Sequence, residues 1–295
     1  MVNMRKIMKR DPIDLGFGFS GESNENGIFI NVEAMDEVEK PGDKKEYIHT
    51  IFPGAFAMLL EDDEIVYTIT DSIVETEEQK EYRNQESLRI KKIRRNLMIC
   101  SAICWILMIP AIFVNWYLPN VCIAFAFIFM ALTKIPVYVY MTWMYLIGDE
   151  RHKQIARFHY AEHAVINAYN DLRKVPTLEE IKNYSGFAYS CGIALEFMKA
   201  LDFLVLGLCR FVPGIWFLLA VFLSLPLVSW WVKKGLYITE FISLRNPSDV
   251  EYQVAITALS KALEMKEKID EIRNSFGKEN IAQIIITIGG PENDT

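Results

Sequence analysis

The chain has 295 residues, with 31 Lys and Arg against 38 Asp and Glu, so its formal net charge at pH 7 is −7. Hydrophobic residues make up 52% of it, which excludes a disordered chain, and the negative charge argues against a nucleic-acid binder that works through an overall positive field. Three of its five cysteines (Cys100, Cys104 and Cys122) lie in apolar runs, which is not the pattern of a disulfide framework.

The N-terminal segment, residues 12–73, predicts a small antiparallel sheet. Clusters of Gly, Asn and Asp at Ser23–Gly27 and Glu61–Glu64 separate short β-like runs. These runs are Leu15–Phe19, Gly27–Val32, Tyr47–Phe52, Ala55–Leu60 and Glu64–Thr70. The polar residues after the basic N-terminus lack the apolar core of a signal peptide, so we expect this domain in the cytoplasm.

The next feature is a run of 38 residues without formal charge, Asn96–Thr133. It is about twice the ~20 residues that a helix needs to cross a bilayer core. Turn-forming residues and interfacial aromatics at Asn115–Asn120 predict a hairpin with spans at 96–115 and 121–146. Lys134 falls in the second span, where a central lysine costs about 2.5–3.5 kcal/mol on the insertion scale.

Basic residues flank this hairpin on both sides: Lys91, Lys92, Arg94 and Arg95 before it, and Arg151, Lys153 and Arg157 after it. Because basic flanks favour the cytoplasm, we expect both ends of the hairpin there.

A second apolar region runs from Phe187 to Val232, and its uncharged part, Phe211–Val232, is expected to span. The earlier part carries Glu196, Lys199, Asp202 and Arg210, so it is a polar-lined span, a re-entrant helix or an interfacial helix. The lysine pair at 233–234 favours a cytoplasmic end, which predicts an even number of crossings, namely four.

The C-terminal part predicts one helix and one strand. Ser248–Glu251 has the capping-box pattern of a helix start. Tyr252, Ile256, Leu259 and Leu263 form an apolar stripe that we expect to pack against the rest of the protein. Residues 281–288 are typical of a final strand.

These patterns predict an α-helical multi-span membrane protein with a small cytosolic β-rich N-terminal domain and cytosolic helices. We expect it in the cytoplasmic membrane with the lipid bilayer as partner and the N-terminus in the cytoplasm. The predicted parts are a β-rich domain (1–73), a charged helix (74–95), a transmembrane hairpin (96–146), His-box helices (147–186), a second membrane region (187–232) and a C-terminal helix and strand (233–295).

The candidate for chemistry is the sequence H-x-x-E-H, which holds two of the four histidines. On a helix, His159 and His163 lie one turn apart on the same face, so they could hold one metal ion. Glu162 lies beside them as a general base or a ligand. The order is the inverse of H-E-x-x-H, the inverzincin pattern.

A third ligand is needed, and Cys191 is the first candidate. One Cys with two His suits Zn²⁺ best and leaves one position open for water, although another divalent metal is an alternative. Glu196, Asp202 and Glu240 are the acidic alternatives, and Glu196 stands out because a carboxylate in an apolar helix needs a partner. An ordinary buried thiol is the alternative interpretation of Cys191.

Several motifs follow one another along the chain: Phe158–Tyr169, Pro176–Glu180, Cys191-Gly192, Arg245–Asp249 and Val254–Leu259. Together and in this order they resemble the YqhQ-like family of bacterial membrane proteins, a domain of unknown function described as predicted metal-dependent enzymes. The resemblance covers roughly residues 90–265, and more faintly Pro53–Ile69. It implies a multi-span membrane protein with a cytosolic His/Glu site.

The chain also departs from the family pattern. Ala188–Ile193 lacks a histidine that the family has before its later spans. Gln253 stands where the family has an acidic residue, with Glu251 two positions earlier, and Trp231 stands at another acidic position. His159, Glu162, His163 and Cys191 carry over.

Three functions follow as hypotheses. The first is a membrane-embedded zinc-type hydrolase of a lipid-linked or membrane-peptide substrate, with Glu162 as base and His159, His163 and Cys191 as ligands. The second is a non-catalytic scaffold, assembly factor or sensor that binds a protein partner. A transporter is the third, although the few intramembrane charges and the lack of an internal repeat argue against it.

Overall fold

The structure is a computed structural model that describes residues 17–40, 44–114, 117–134, 147–186, 192–212, 216, 218–224 and 246–276. The chain divides into two compact units. The sheet unit comprises Met1–Val74, Glu150–Ala188 and Leu244–Thr295, and the helical unit comprises Glu75–Asp149 and Tyr189–Ser243. The predicted final strand at 281–288 lies outside the described residues.

The sheet unit contains a four-stranded antiparallel sheet in the order β1-β2-β3-β4. Its strands are β1 (Phe17–Ser23), β2 (Gly27–Lys40), β3 (Lys44–Leu59) and β4 (Ile65–Thr70). The predicted antiparallel sheet is therefore confirmed. The separate strands expected at Tyr47–Phe52 and Ala55–Leu60 form one strand, β3.

A bulge makes that merger possible. The pairing between β2 and β3 shifts between Ile30 and Val32, which pair with Ala55 and Phe52. Residues 53 and 54 therefore lie opposite the single residue Asn31, so Pro53 interrupts the ladder without ending the strand. Only glycine fits at position 54, because a Cβ there would lie 2.1 Å from the carbonyl oxygen of Ile30.

The described helices differ widely in length. They are α1 (Glu77–Val114), α2 (Leu118–Leu132), α3 (Glu150–Leu172), α4 (Leu178–Ile181), α5 (Gly192–Cys209) and α6 (Asp249–Phe276). At α4, Thr177 and Glu180 exchange both bonds of a capping box. The predicted start of α6 is confirmed, and there the Ser248 amide donates to the Glu251 carboxylate at 2.5 Å.

The core of the sheet unit lies between the sheet and the helices α3 and α6. Phe158, Ala161 and Val165 of α3 are fully buried there, so the histidine helix has an apolar face. The predicted stripe of α6 is buried in the same core at Tyr252, Ile256 and Leu259, and Leu263 packs against it.

A charged contact joins α3 to α6 beside this core. Nε of Arg157 donates to Oε1 of Glu251 at 2.9 Å, and the Gln154 amide donates to the same oxygen at 3.1 Å. Glu251 is only 5% exposed. Burial acts to raise the pKa of Glu251, but the hydrogen bonds from Ser248 and Gln154 and the Arg157 charge outweigh it and hold the pKa below its ordinary value. The carboxylate is thus charged and paired.

The helical unit has small side chains inside and large ones outside. Ser101, Ala111, Ala124, Ala126 and Ala131 are buried, and the Ser101 hydroxyl donates to the carbonyl of Ala126 at 3.0 Å. Large apolar side chains are exposed along α1 and at residues 204–223: Ile103, Ile106, Leu107, Ile109, Ile112, Phe113, Val114, Leu208, Trp216, Leu218, Phe222 and Leu223.

The prediction of a multi-span membrane protein is wrong. Among the described residues one helix, α1, is long and apolar enough to cross a membrane, judged by length and composition only. Helix α2 has 15 residues, about 22 Å of helix against a hydrocarbon core of about 30 Å. Helix α5 carries Glu196, Lys199 and Asp202 within its 18 residues. The charge-free run was therefore not a sufficient sign of two spans.

Candidate functional site

The two histidines of the H-x-x-E-H sequence converge on the same side of α3. Their Nε2 atoms lie 3.2 Å apart, and their ring centres are separated by 4.4 Å. His163 is 8% exposed and His159 is half-buried. The structure thus places the predicted pair as the i, i+4 spacing requires.

A backbone carbonyl fixes the tautomer of His163. Its Nδ1 lies 2.6 Å from the carbonyl oxygen of Gly186. A carbonyl oxygen carries no hydrogen, so Nδ1 must be the donor. In a neutral imidazole the proton on Nδ1 leaves a lone pair on Nε2, which points toward His159.

Both imidazoles are held neutral. Burial lowers the pKa of His159 to about 4. Burial, and then repulsion from His159, lower the pKa of His163 to about 3, against the opposing hydrogen bond to Gly186. A neutral imidazole is the form that binds a metal ion.

This geometry fits a divalent metal such as zinc. Nitrogen ligands about 2.0–2.1 Å from a tetrahedral ion lie roughly 3.3–3.4 Å from each other, and the 3.2 Å between the two Nε2 atoms is close to that separation. The bond from Nδ1 of His163 to a backbone carbonyl is the outer contact that metal-binding histidines commonly make. Without an ion, one Nε2 would carry a proton and donate it to the other.

Glu162 lies on the same helix next to this pair. Its Oε1 is 3.8 Å from Nε2 of His163, and the residue is 3% exposed. That distance is too long for a direct hydrogen bond. Glu162 therefore lies beside the histidine pair, close to Nε2 of His163 but without a direct bond to it.

Strand β1 makes room for this carboxylate at Gly21. A Cβ at position 21 would lie 2.7 Å from Oε1 of Glu162 and 2.8 Å from its Cδ. The side chain of Glu162 therefore rests directly on the backbone of the strand. Sequence reasoning missed Gly21, although a lone glycine inside a strand pattern is the signal of such a close approach.

The predicted third ligand is not among these contacts. Cys191 and Glu240 lie outside the described residues, as does the side chain of Glu196, and Asp202 belongs to the helical unit, where it is exposed. Within the part of the chain that the structure describes, no group of three or more His, Cys, Asp or Glu side chains could hold a metal ion. Cys191 stays a prediction.

Comparison with protein families gives a match over most of the chain. The family is described as a protein of unknown function, DUF1385, and its model matches residues 56–265. The chain belongs to this family. The match includes both histidines, Glu162 and Gly186 but leaves out β1 and β2, so Gly21 lies outside it. Neither the curated proteins nor the solved structures give a match.

Replacing Gly21 by alanine is expected to displace the Glu162 carboxylate and to destabilise the sheet unit by about 1–3 kcal/mol, as overpacking usually does. Gly18 on the same strand is the matched control, because a Cβ there meets nothing within 4 Å. Urea unfolding of both variants measures the difference. Equal stabilities for Gly21→Ala and Gly18→Ala would contradict the described contact.

The neutral histidine pair also predicts how stability depends on pH. Unfolded histidines bind protons below about pH 6.5, while His159 and His163 stay neutral down to about 4 and 3. The contribution is complete above about pH 6.5 and is lost as the pH falls, with a slope of up to about 1.4 kcal/mol per pH unit for each histidine.

Urea unfolding between about pH 7 and pH 5 measures this slope. The double variant His159→Gln/His163→Gln should show a flatter dependence than the wild type over that interval. Identical slopes for the two proteins would show that the pair is not held neutral.

Proposed function

We propose that this protein is a membrane-attached, metal-dependent hydrolase whose site is built on α3 by His159, His163 and Glu162. The observation that carries the proposal is the 3.2 Å separation of the two Nε2 atoms, in a buried place where both imidazoles are neutral. The resemblance to the YqhQ-like family of predicted metal-dependent enzymes supports the same function.

The residues of the site would have two roles, metal binding and proton transfer. His159 and His163 would bind a divalent ion, with Zn²⁺ as the first candidate. A divalent ion at this place would supply Lewis acidity, which lowers the pKa of water toward neutrality. Glu162 would accept the proton of the attacking water, because its Oε1 lies beside the proposed ligands, 3.8 Å from Nε2 of His163.

The surface of the helical unit supports attachment to a membrane. In water the exposed Ile106, Phe113 and Phe222 side chains, which are 65%, 87% and 71% exposed, would be unfavourable by about 25 cal/mol for each Å² of apolar surface. Lipid removes that cost, and small residues between helices are typical of packing in lipid. The proposed partner is therefore the lipid bilayer, through α1, in the cytoplasmic membrane.

The class of substrate follows from this location alone. A hydrolase attached to the cytoplasmic face of a membrane would act on a lipid-linked molecule or a membrane peptide.

Metal content tests the binding part of the proposal. The full chain, purified in detergent with added zinc, is expected to retain about one Zn²⁺ per chain when its metal content is measured by mass spectrometry. His159→Gln and His163→Gln should each lose it. His152→Gln is the matched control, since His152 is a buried histidine on the same helix, almost two turns before His159. Zinc-free wild-type protein, or zinc that survives both site variants, would overturn the proposal.

Glu162 tests the catalytic part. Glu162→Gln keeps the shape of the side chain but removes its basicity, so turnover should fall by about 10²–10⁴-fold while zinc remains bound. The measurement is whether each variant complements a strain that lacks the gene. Glu150→Gln, which changes an exposed residue of the same helix, is the control. A complementing Glu162→Gln variant would instead support the non-catalytic scaffold or sensor.

A further inference from the structure

Three side chains of α3, each one turn from the next, make hydrogen bonds to the three residues of one short segment, 184–186. His163 binds the carbonyl of Gly186 at 2.6 Å, and the Asn167 amide donates to the carbonyl of Ser185 at 2.9 Å. Asp171 accepts a hydrogen bond from the hydroxyl of Tyr184 at 2.6 Å. Positions i, i+4 and i+8 share one helix face, and they meet three consecutive residues in reverse order.

This contact is inside the protein. Asn167 is 7% exposed, Ser185 1% and Tyr184 4%. A buried polar group that loses its hydrogen-bond partner is destabilised by the full free energy of its desolvation. Each of these bonds therefore strongly favours one position of the segment. The 184–186 segment is therefore placed on α3 by polar contacts that have little freedom to shift.

Close packing fixes the position of Gly186, the last residue of the segment. A Cβ at position 186 would lie 2.4 Å from the ring of Tyr160 on α3. Gly186 is therefore pressed against the helix, and its carbonyl can reach Nδ1 of His163. The residue before it, Ser185, is held by Asn167, so any movement of Ser185 would carry the Gly186 carbonyl with it.

From these contacts we infer that Asn167 and Asp171 are positioning residues of the histidine site. By holding Ser185 and Tyr184 they place the Gly186 carbonyl against Nδ1 of His163, which keeps the proton on Nδ1 and the lone pair on Nε2. This inference rests on the proposed function for its consequence, metal affinity, but the tautomer itself is measured without metal.

The chemical reason is that a neutral imidazole has one proton for two nitrogens. With the carbonyl at 2.6 Å the proton stays on Nδ1, and Nε2 can bind a metal. If the carbonyl moves beyond hydrogen-bond distance, the proton can occupy Nε2 instead, and a protonated nitrogen is not a ligand. Loss of the Asn167 side chain is therefore expected to lower the affinity for the metal indirectly, by changing the tautomer of His163.

The test is the position of the imidazole proton in the metal-free full chain. Histidine-selective ¹⁵N labelling with long-range ¹H–¹⁵N correlation distinguishes the two tautomers, and His163→Gln assigns the signal. Asn167→Ala is expected to give a mixture of tautomers at His163, and Tyr184→Phe, which removes only the hydroxyl bonded to Asp171, a smaller change in the same direction.

Asn183→Ala is the matched control. The Asn183 amide also donates to a backbone carbonyl, that of Glu179 at 3.1 Å, but it is exposed and lies on the α4 side of the segment. This variant should keep the wild-type tautomer. In the zinc-bound state, competition titration should show a dissociation constant about 10–100-fold higher for Asn167→Ala and unchanged for Asn183→Ala.

The outcomes separate this inference from the proposed function. If Asn167→Ala and Tyr184→Phe both leave the proton on Nδ1, the inference is overturned, whether or not the wild type binds zinc. If the tautomer shifts but the wild type binds no zinc, the positioning role stands and the metal-dependent function fails. If Asn167→Ala does not fold, Tyr184→Phe decides the question by itself.

Discussion

The burial of a polar helix is the constraint on which the sheet unit depends. Helix α3 packs against both the sheet and α6, yet it carries His163, Glu162 and Asn167 at positions less than 10% exposed. Each of these groups would be costly in the interior without a partner. The fold meets that requirement for His163 and Asn167 with backbone carbonyls. The buried carboxylate of Glu162 also lies 3.8 Å from Nε2 of His163.

The same constraint determines the chemistry of the site. Removing the imidazoles from water keeps them neutral, and the Gly186 carbonyl decides which nitrogen has the free lone pair. Two neutral nitrogens 3.2 Å apart form an unusual pair for a protein interior unless they share a proton or an ion. The proposed metal-dependent function rests on that pairing together with the Glu162 carboxylate, which lies 3.8 Å from Nε2 of His163.

The helical unit differs from the sheet unit, which buries large apolar side chains in its core. In the helical unit small residues are buried and large apolar residues are exposed. Such a surface is unfavourable in water and neutral in lipid. This is why membrane attachment is proposed although the described residues contain one helix of sufficient length. The argument depends on which side chains are exposed, and hydropathy along the chain does not contain that information.

Local patterns determined the elements. Turn clusters at Ser23–Gly27 and Glu61–Glu64 separated the strands, and a capping-box pattern marked the start of α6. Helical spacing brought His159 and His163 together. These features depend on residues a few positions apart, so sequence was enough. The four crossings were wrong because an uncharged run records composition, whereas a span also requires an unbroken helix of about 20 residues.

Contacts between distant residues were decided only by the tertiary structure. Gly21 meets Glu162 across 141 positions of sequence, and Gly186 meets His163 across 23. Nothing local to a glycine says which side chain will lie against it. The histidine pair could be predicted because a helix repeats every 3.6 residues, but the tautomer of His163 could not, because it depends on a carbonyl that only folding brings within 2.6 Å.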